Sequence, residues 1–154
     1  MPSHAQRSIV HDVDLAKRSM VEKTLKRRTR WTSREEFRSY LPTRGIYESF
    51  CAEALEDYAH AGLVEDGAGE FRLAYQPVWE AHNFMTTGSI WSCLADIRIP
   101  TLLLHGETSS LYPAEDLEEL KAGFSPAVEV LAVRGSGHMI PQEDPCQLAQ
   151  LILR

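Results

Sequence analysis

The stretch Ile99-Pro-Thr-Leu-Leu-Leu-His-Gly106 decides how this sequence is interpreted. It is a continuous apolar run that stops at a glycine, which is typical of a strand buried on both faces of a parallel sheet. A second run, Val128-Glu-Val-Leu-Ala-Val133, is closed by Gly135-Ser-Gly137. Residues 113–124 between the two runs have the spacing of an amphipathic helix. We therefore predict two adjacent parallel strands joined by a helix, the βαβ unit of an open α/β sheet.

The rest of the chain is mainly helical in pattern. Apolar spacing and capping signals predict helices over residues 13–28, 32–40, 52–60, 78–85 and 90–98, and from Pro145 onward. Phe71-Arg-Leu73 is predicted to be extended, after a turn at Asp66-Gly-Ala-Gly69. This pattern divides the chain into a helical region over residues 1–88 and an α/β region over residues 89–154.

Charge and composition exclude several classes of protein. The chain of 154 residues has 16 Lys and Arg against 22 Asp and Glu, a net charge of −6. A nucleic-acid-binding protein needs a basic stripe, so we predict no nucleic-acid partner. The basic stretch Lys26-Arg-Arg-Thr-Arg30 is interpreted as a solvated helix face, because Trp31 and two glutamates follow it at once.

The cysteines and the apolar runs point to a soluble protein. Cys51, Cys93 and Cys146 are widely spaced and odd in number, which is neither a zinc site nor a disulfide framework. No apolar run approaches the roughly 20 residues that span a bilayer, and the first residues lack the core of a signal peptide. We predict a cytoplasmic protein that binds neither a membrane nor a metal.

Two motifs together resemble the closing βαβα segment of α/β-hydrolases: residues 99–107, and Gly135-Ser-Gly-His-Met-Ile-Pro-Gln-Glu-Asp-Pro145. In that family the first strand ends in a loop that carries an acid, and the second ends at a Gly-x-Gly-His loop. The resemblance implies that His138 occupies the position of the general base. Strand carboxyl ends face the crevice where ligands bind, which agrees with that role.

Residues 26–85 are similar to the helical cap that some α/β-fold hydrolases insert before the acid-bearing strand. The similar segments are residues 27–36, Arg44-Gly-Ile46 and Arg72-Leu-Ala-Tyr-Gln-Pro-Val-Trp-Glu-Ala81. The two resemblances imply a partial α/β-hydrolase fold, with a helical cap followed by two parallel strands and flanking helices. They also imply hydrolysis of small ester, acyl or carbonyl substrates without a cofactor.

The sequence departs from the family at the nucleophile. The nucleophile of these enzymes stands in Gly-x-Ser-x-Gly, and no two of the nine glycines here are four positions apart. The early His-Gly loop that supplies oxyanion donors is missing as well. Ser136 lies so close to His138 along the chain that the two are not expected to align for proton transfer.

The acid also departs from the family pattern. The usual positions, three and four residues after the strand-end glycine, are Ser109 and Ser110. Glu107, Glu115 and Asp116 are the nearest carboxylates. Glu107 is the first candidate for a replacement acid, because Asp116 lies at a predicted helix start, where a carboxylate more often serves the helix dipole.

Two functions follow from these patterns. In the first, this chain is the cap-and-histidine part of a hydrolase of small-molecule substrates, inactive alone, whose nucleophile-bearing half either is a separate chain that completes it in trans or is missing from this sequence. In the second, it is a degenerate, non-catalytic module for interaction or ligand binding. In either case we expect a homodimer or a partner-dependent fold, because two parallel strands leave an apolar edge open at residues 99–105.

Overall fold

A computed structural model describes residues 17–86, 91–111, 117–118 and 121–153. The chain divides into two compact units, one formed by described residues up to 34 and from 61 to 86, the other by residues 35–60 and the described residues from 91 onward. Residues 35–60 thus belong to the second unit, although they precede the last segment of the first unit in the sequence.

The first unit contains a three-stranded antiparallel sheet in the order β1-β3-β2. Its strands are β1 (Arg30–Trp31), β2 (Leu63–Glu65) and β3 (Phe71–Leu73), with Leu63 opposite Leu73 and Trp31 opposite Phe71. Trp31 and the two leucines are buried and form the centre of its core. Helix α1 (residues 17–25) and helix α4 (Pro77–Thr86) complete the unit.

The basic stretch at residues 26–30 is not a helix face, and that interpretation is wrong. The helix ends at residue 25, and Arg30 is already in strand β1. Two of its arginines are held by carboxylates: Arg27 forms a bidentate ion pair with Glu80, at 2.6 and 2.9 Å, and Arg30 pairs with Asp66. Strands β1 and β2 were not predicted, because they are too short to show a two-residue alternation.

The second unit contains the two predicted strands, β4 (Thr101–Gly106) and β5 (Val128–Val133). They pair in parallel, from Thr101 opposite Val128 to Gly106 opposite Val133. The prediction of adjacent parallel strands is confirmed. Residues 117–118 and 121 of the predicted connecting helix are helical, and most of the remainder lies outside the described residues.

The prediction that strand 99–106 is buried on both faces is wrong for this chain. The strand begins at Thr101, Ile99 is 72% exposed, and Leu102 is 39% exposed. The reason is the size of the sheet, since β4 pairs only with β5 among the described residues. A strand that is apolar throughout is buried only where other elements cover both faces of its sheet, and a sheet of two strands offers little surface for them to pack on.

Helices α2 (Arg34–Tyr40) and α3 (Ala52–Ala61), with two 3₁₀ turns at Leu41–Thr43 and Gly45–Tyr47 between them, confirm two predicted helices. A cluster of four rings packs there, namely Phe37, Tyr47, Phe50 and Tyr58. The short helix α5 (Trp91–Leu94) precedes β4. Helices α6 (Ile140–Glu143) and α7 (Pro145–Ile152) follow β5.

Helix α7 confirms the helix predicted from Pro145. None of its residues is buried, Cys146 is exposed, and Ile152 is 63% exposed. The described part of the chain holds no helix that is both long and apolar enough to span a bilayer.

Candidate active site

The loops that follow β4 and β5 touch at two glycines. A Cβ atom at Gly106 would lie 1.7 Å from the carbonyl oxygen of Gly137 and 2.6 Å from that of Ser136. No side chain fits at such a distance. Only glycine therefore allows the end of β4 to pass against the loop that carries His138.

Hydrogen bonds tie the same two loops together. The backbone N–H of Glu107 donates to the carbonyl of Val133 at 3.0 Å. The Thr108 N–H and hydroxyl both donate to the carbonyl of Ser136 at 3.0 Å. The Glu107 carboxylate accepts the N–H of Gly135, whose φ of +72° turns the chain away from β5. The two strand ends thus form one connected site.

His138 lies in this site, exposed, between the end of β5 and the start of α6. The backbone N–H groups on either side of it, those of Gly137 and Met139, both donate to the carboxylate of Glu143. The loop is therefore anchored immediately before and immediately after the histidine. An exposed imidazole on an anchored loop can take up or release a proton at a defined place.

Glu107 reaches the neighbouring part of the site. Its carboxylate Oε2 lies 2.8 Å from the N–H of Gly135, three residues before His138. The structure thus brings the predicted acid and the predicted base to the adjoining loops of two paired strands. The role of Glu107 as the acid that serves the imidazole stays a prediction. Glu115 and Asp116 lie outside the described residues.

The two serines at the expected acid positions differ from one another. Ser109 is 8% exposed, and its hydroxyl has no hydrogen-bond partner among the described residues, whereas Ser110 is exposed. Ser136 is 3% exposed. His105, on β4, is half-buried, and its Nδ1 is buried without a partner in the same part of the chain.

Glu143 is the residue that the sequence analysis missed. A glycine-rich loop leaves several backbone N–H groups to satisfy, and a carboxylate a few residues later is a suitable acceptor. That signal was present in the sequence, as Gly137 and Glu143 are six residues apart.

The carboxylate that follows Glu143 has a different role. Asp144 caps α7 by accepting the N–H of Gln147 at 2.9 Å. That backbone N–H, and then the Gln147 side-chain amide, hold the pKa of Asp144 below its usual value near 3.8. No group of three or more His, Cys, Asp or Glu side chains placed to hold a metal occurs within the ranges that the structure describes.

Comparisons with known proteins identify the fold. The chain is similar to E-2-(acetamidomethylene)succinate hydrolase, with a TM-score of 0.69 and 20% identity over 87% of this chain and 50% of that one. It is similar to the peroxisomal α/β-hydrolase of Saccharomyces cerevisiae, with a TM-score of 0.65 and 15% identity over 90% of this chain and 36% of that one. The chain has a partial α/β-hydrolase fold.

An esterase of Mycobacterium tuberculosis shares this α/β-hydrolase fold with the chain. Its TM-score is 0.65, with 17% identity over 95% of this chain and 49% of the esterase. The chain thus spans about half the length, or less, of these three solved structures. No protein-family model matches the sequence, and no protein of curated function does so either. The resemblance that the two motifs suggested is confirmed at the level of the fold.

Proposed function

We propose that this chain is the histidine-bearing part of a hydrolase that cleaves small ester or other acyl substrates. His138 is the general base in this proposal, and a nucleophile comes from residues outside this sequence. One observation carries it: His138 stands at the carboxyl end of a parallel strand pair, on a loop anchored on both sides. Ligand sites of open α/β sheets lie at that edge.

The chemistry requires little of this chain beyond a well-placed imidazole. As a hydroxyl nucleophile forms its bond to the acyl carbon, the imidazole of His138 takes the hydroxyl proton. It then gives the proton to the leaving alcohol as the ester bond breaks. Glu107 is proposed as the acid that orients the imidazole. A carboxylate has about four lone-pair positions, so its bond to Gly135 leaves capacity for an imidazole N–H.

The nucleophile is assigned outside this sequence because the sequence lacks Gly-x-Ser-x-Gly and the residues that the structure describes contain no strained turn that would expose a nucleophile. Ser33 follows the two-residue β1 and precedes α2, as an elbow serine would. However, among the described residues only glycines have a positive φ. The strand-to-helix turn at Ser33 is therefore an ordinary one, without the backbone strain of a nucleophile elbow.

We propose that the nucleophile-bearing half pairs with the open edge of β4. Within the described residues that edge carries no strand, and Ile99 and Leu102 beside it are exposed. An apolar strand edge with free N–H and C=O groups favours the addition of another strand. A second copy of this chain is the other occupant that an experiment must distinguish.

The test is coexpression with the adjacent coding sequence, if that sequence encodes Gly-x-Ser-x-Gly. We expect a complex that hydrolyses p-nitrophenyl acetate and whose serine reacts with a fluorophosphonate probe. His138→Ala should lower kcat by roughly 10³–10⁴-fold. The matched control is His82→Ala, which removes an exposed imidazole from α4 and should change kcat less than about twofold. A complex in which His138→Ala retains full activity would refute the role.

A non-catalytic ligand-binding or interaction module is the second candidate. The observation in its favour is that Ser109 and Ser110 occupy the positions where the resemblance expects an acid. A stable complex that binds but never reacts with the fluorophosphonate probe would support this second function and exclude the first.

A further inference from the structure

One carboxylate accepts both of the backbone N–H groups that flank His138. Oε2 of Glu143 accepts the N–H of Gly137, and Oε1 accepts the N–H of Met139 at 2.9 Å. The Glu143 N–H in turn donates to the carbonyl of Met139, also at 2.9 Å. The side chain and the backbone N–H of Glu143 therefore each form a hydrogen bond with the backbone of Met139, the residue that follows the histidine.

A second, independent observation shows how closely Glu143 fits this loop. A Cβ atom at Gly137 would lie 2.9 and 3.0 Å from the two carboxylate oxygens of Glu143. The carboxylate thus occupies the space that any side chain at position 137 would need. The glycine and the glutamate depend on each other, because a larger residue at 137 would displace the carboxylate.

We propose that Glu143 is a positioning residue for His138, which fixes the imidazole through the backbone rather than by touching it. The inference rests on the proposed function of His138. Hydrogen bonds from N–H groups to a charged acceptor are stronger than neutral ones. With the amides on both sides anchored, the imidazole moves only through its own two side-chain torsions. Glu107, on the other loop, takes no part in this anchoring of the backbone, and its proposed role is a direct bond to the imidazole.

The first test uses the chain alone and needs no enzyme activity. Amide hydrogen exchange at Gly137 and Met139, followed by NMR, should be slow in the wild type. Glu143→Ala should accelerate both amides by about ten- to hundredfold. Glu143→Gln should accelerate one of them, because an amide group has only one acceptor oxygen. The matched control is Glu129→Gln, which alters an exposed glutamate on β5 and should leave both rates unchanged.

The NMR resonances of the His138 ring distinguish positioning of the imidazole from a purely structural role of Glu143, because only a loss of positioning should change them. The ring resonances of His138 should be single and sharp in the wild type, and broadened or doubled in Glu143→Ala. Resonances of β4 and β5 should stay in place. Gly137→Ala should reproduce the effect with the glutamate still present, which covers the case in which Glu143→Ala does not fold. Unchanged ring resonances in a folded variant with faster amide exchange would overturn the proposal.

The second test uses the hydrolase complex described under the proposed function. Glu143→Ala should lower kcat and leave KM within about twofold, because the Glu143 carboxylate is bonded to the backbone N–H groups of Gly137 and Met139 and is not assigned a contact with the substrate. In the His138→Ala variant, adding Glu143→Ala should not lower kcat any further, since there is no imidazole left to position. Additive losses would refute the positioning role. An inactive complex combined with the expected NMR result would refute the proposed function alone.

Discussion

Substitution of Gly106 by alanine tests whether the close contact of the two strand-end loops holds the site together. The added Cβ would lie 1.7 Å from the Gly137 carbonyl oxygen, whereas real Cβ atoms stay at least 3.0 Å away. The loops must therefore separate by at least about 1.3 Å. The oxygen belongs to the backbone and the position of the Cβ is fixed by the backbone, so no side-chain rotation can relieve the contact.

The loss of stability follows from the hydrogen bonds that this separation of the loops breaks. The bonds from Glu107 N–H to Val133 and from Thr108 N–H to Ser136 are each 3.0 Å long. An extra 1.3 Å would take them beyond hydrogen-bonding distance. Each is worth about 1 kcal/mol, and overpacking adds about 1–3 kcal/mol. We expect Gly106→Ala to lower the free energy of unfolding of the second unit by about 3–5 kcal/mol.

Urea unfolding followed residue by residue with NMR is the appropriate assay, because two units need not unfold together. The midpoint for β4 and β5 should fall by roughly 2 M urea, and that for β2 and β3 should not change. The control is Gly67→Ala, which has open space around it but a φ of +84°. Its cost is backbone strain of about 1–2 kcal/mol in the first unit. A smaller effect at Gly106 than at Gly67 would refute the reasoning.

The isolated chain should hydrolyse p-nitrophenyl acetate no faster than free imidazole, and turnover that His138→Ala abolishes would contradict this. Light scattering at micromolar concentration should show association, whereas a compact monomer with a cooperative melt and no dye binding would count against an exposed β4 edge. Asp144→Ala should destabilise α7 at neutral pH. The pKa of Asp144 is lower in the folded state than its usual value near 3.8, so its contribution is full above that value and is lost as the pH falls through the folded pKa. The difference in stability between wild type and Asp144→Ala should therefore disappear in acid, and a difference that persists at pH 2 would exclude the cap as its origin.

The sequence predicted those elements whose pattern is long or is bounded by a glycine, a proline or a helix-capping residue. The runs before Gly106 and Gly135 contain enough apolar residues to specify strands, and the capping pattern before α2 and Pro145 before α7 mark helix starts. Strand β1 has two residues and β2 has three, which is less than any periodic pattern needs. Their pairing depends on contacts between distant parts of the chain.

The candidate site was only partly predictable for a related reason. The position of His138 follows from local spacing and a resemblance to known sequences. The hydrogen bonds from Glu107 to Gly135 and from Glu143 to Gly137 depend on how two loops meet, which one sequence does not specify. Burial of the apolar run at residues 99–106 was predicted wrongly, because covering a strand requires a neighbour that the periodicity of that strand does not reveal.

The antiparallel sheet of the first unit has a consequence for the order of folding. Strands β2 and β3 are joined by five residues, whereas β1 pairs with β3 from about 40 residues away along the chain. Closing the longer loop costs about 2 kcal/mol more in chain entropy. We therefore expect the β2–β3 hairpin to form early and β1 to be added after it. A protease cut between residues 35 and 60 would leave the hairpin intact and convert the addition of β1 into a bimolecular, concentration-dependent step.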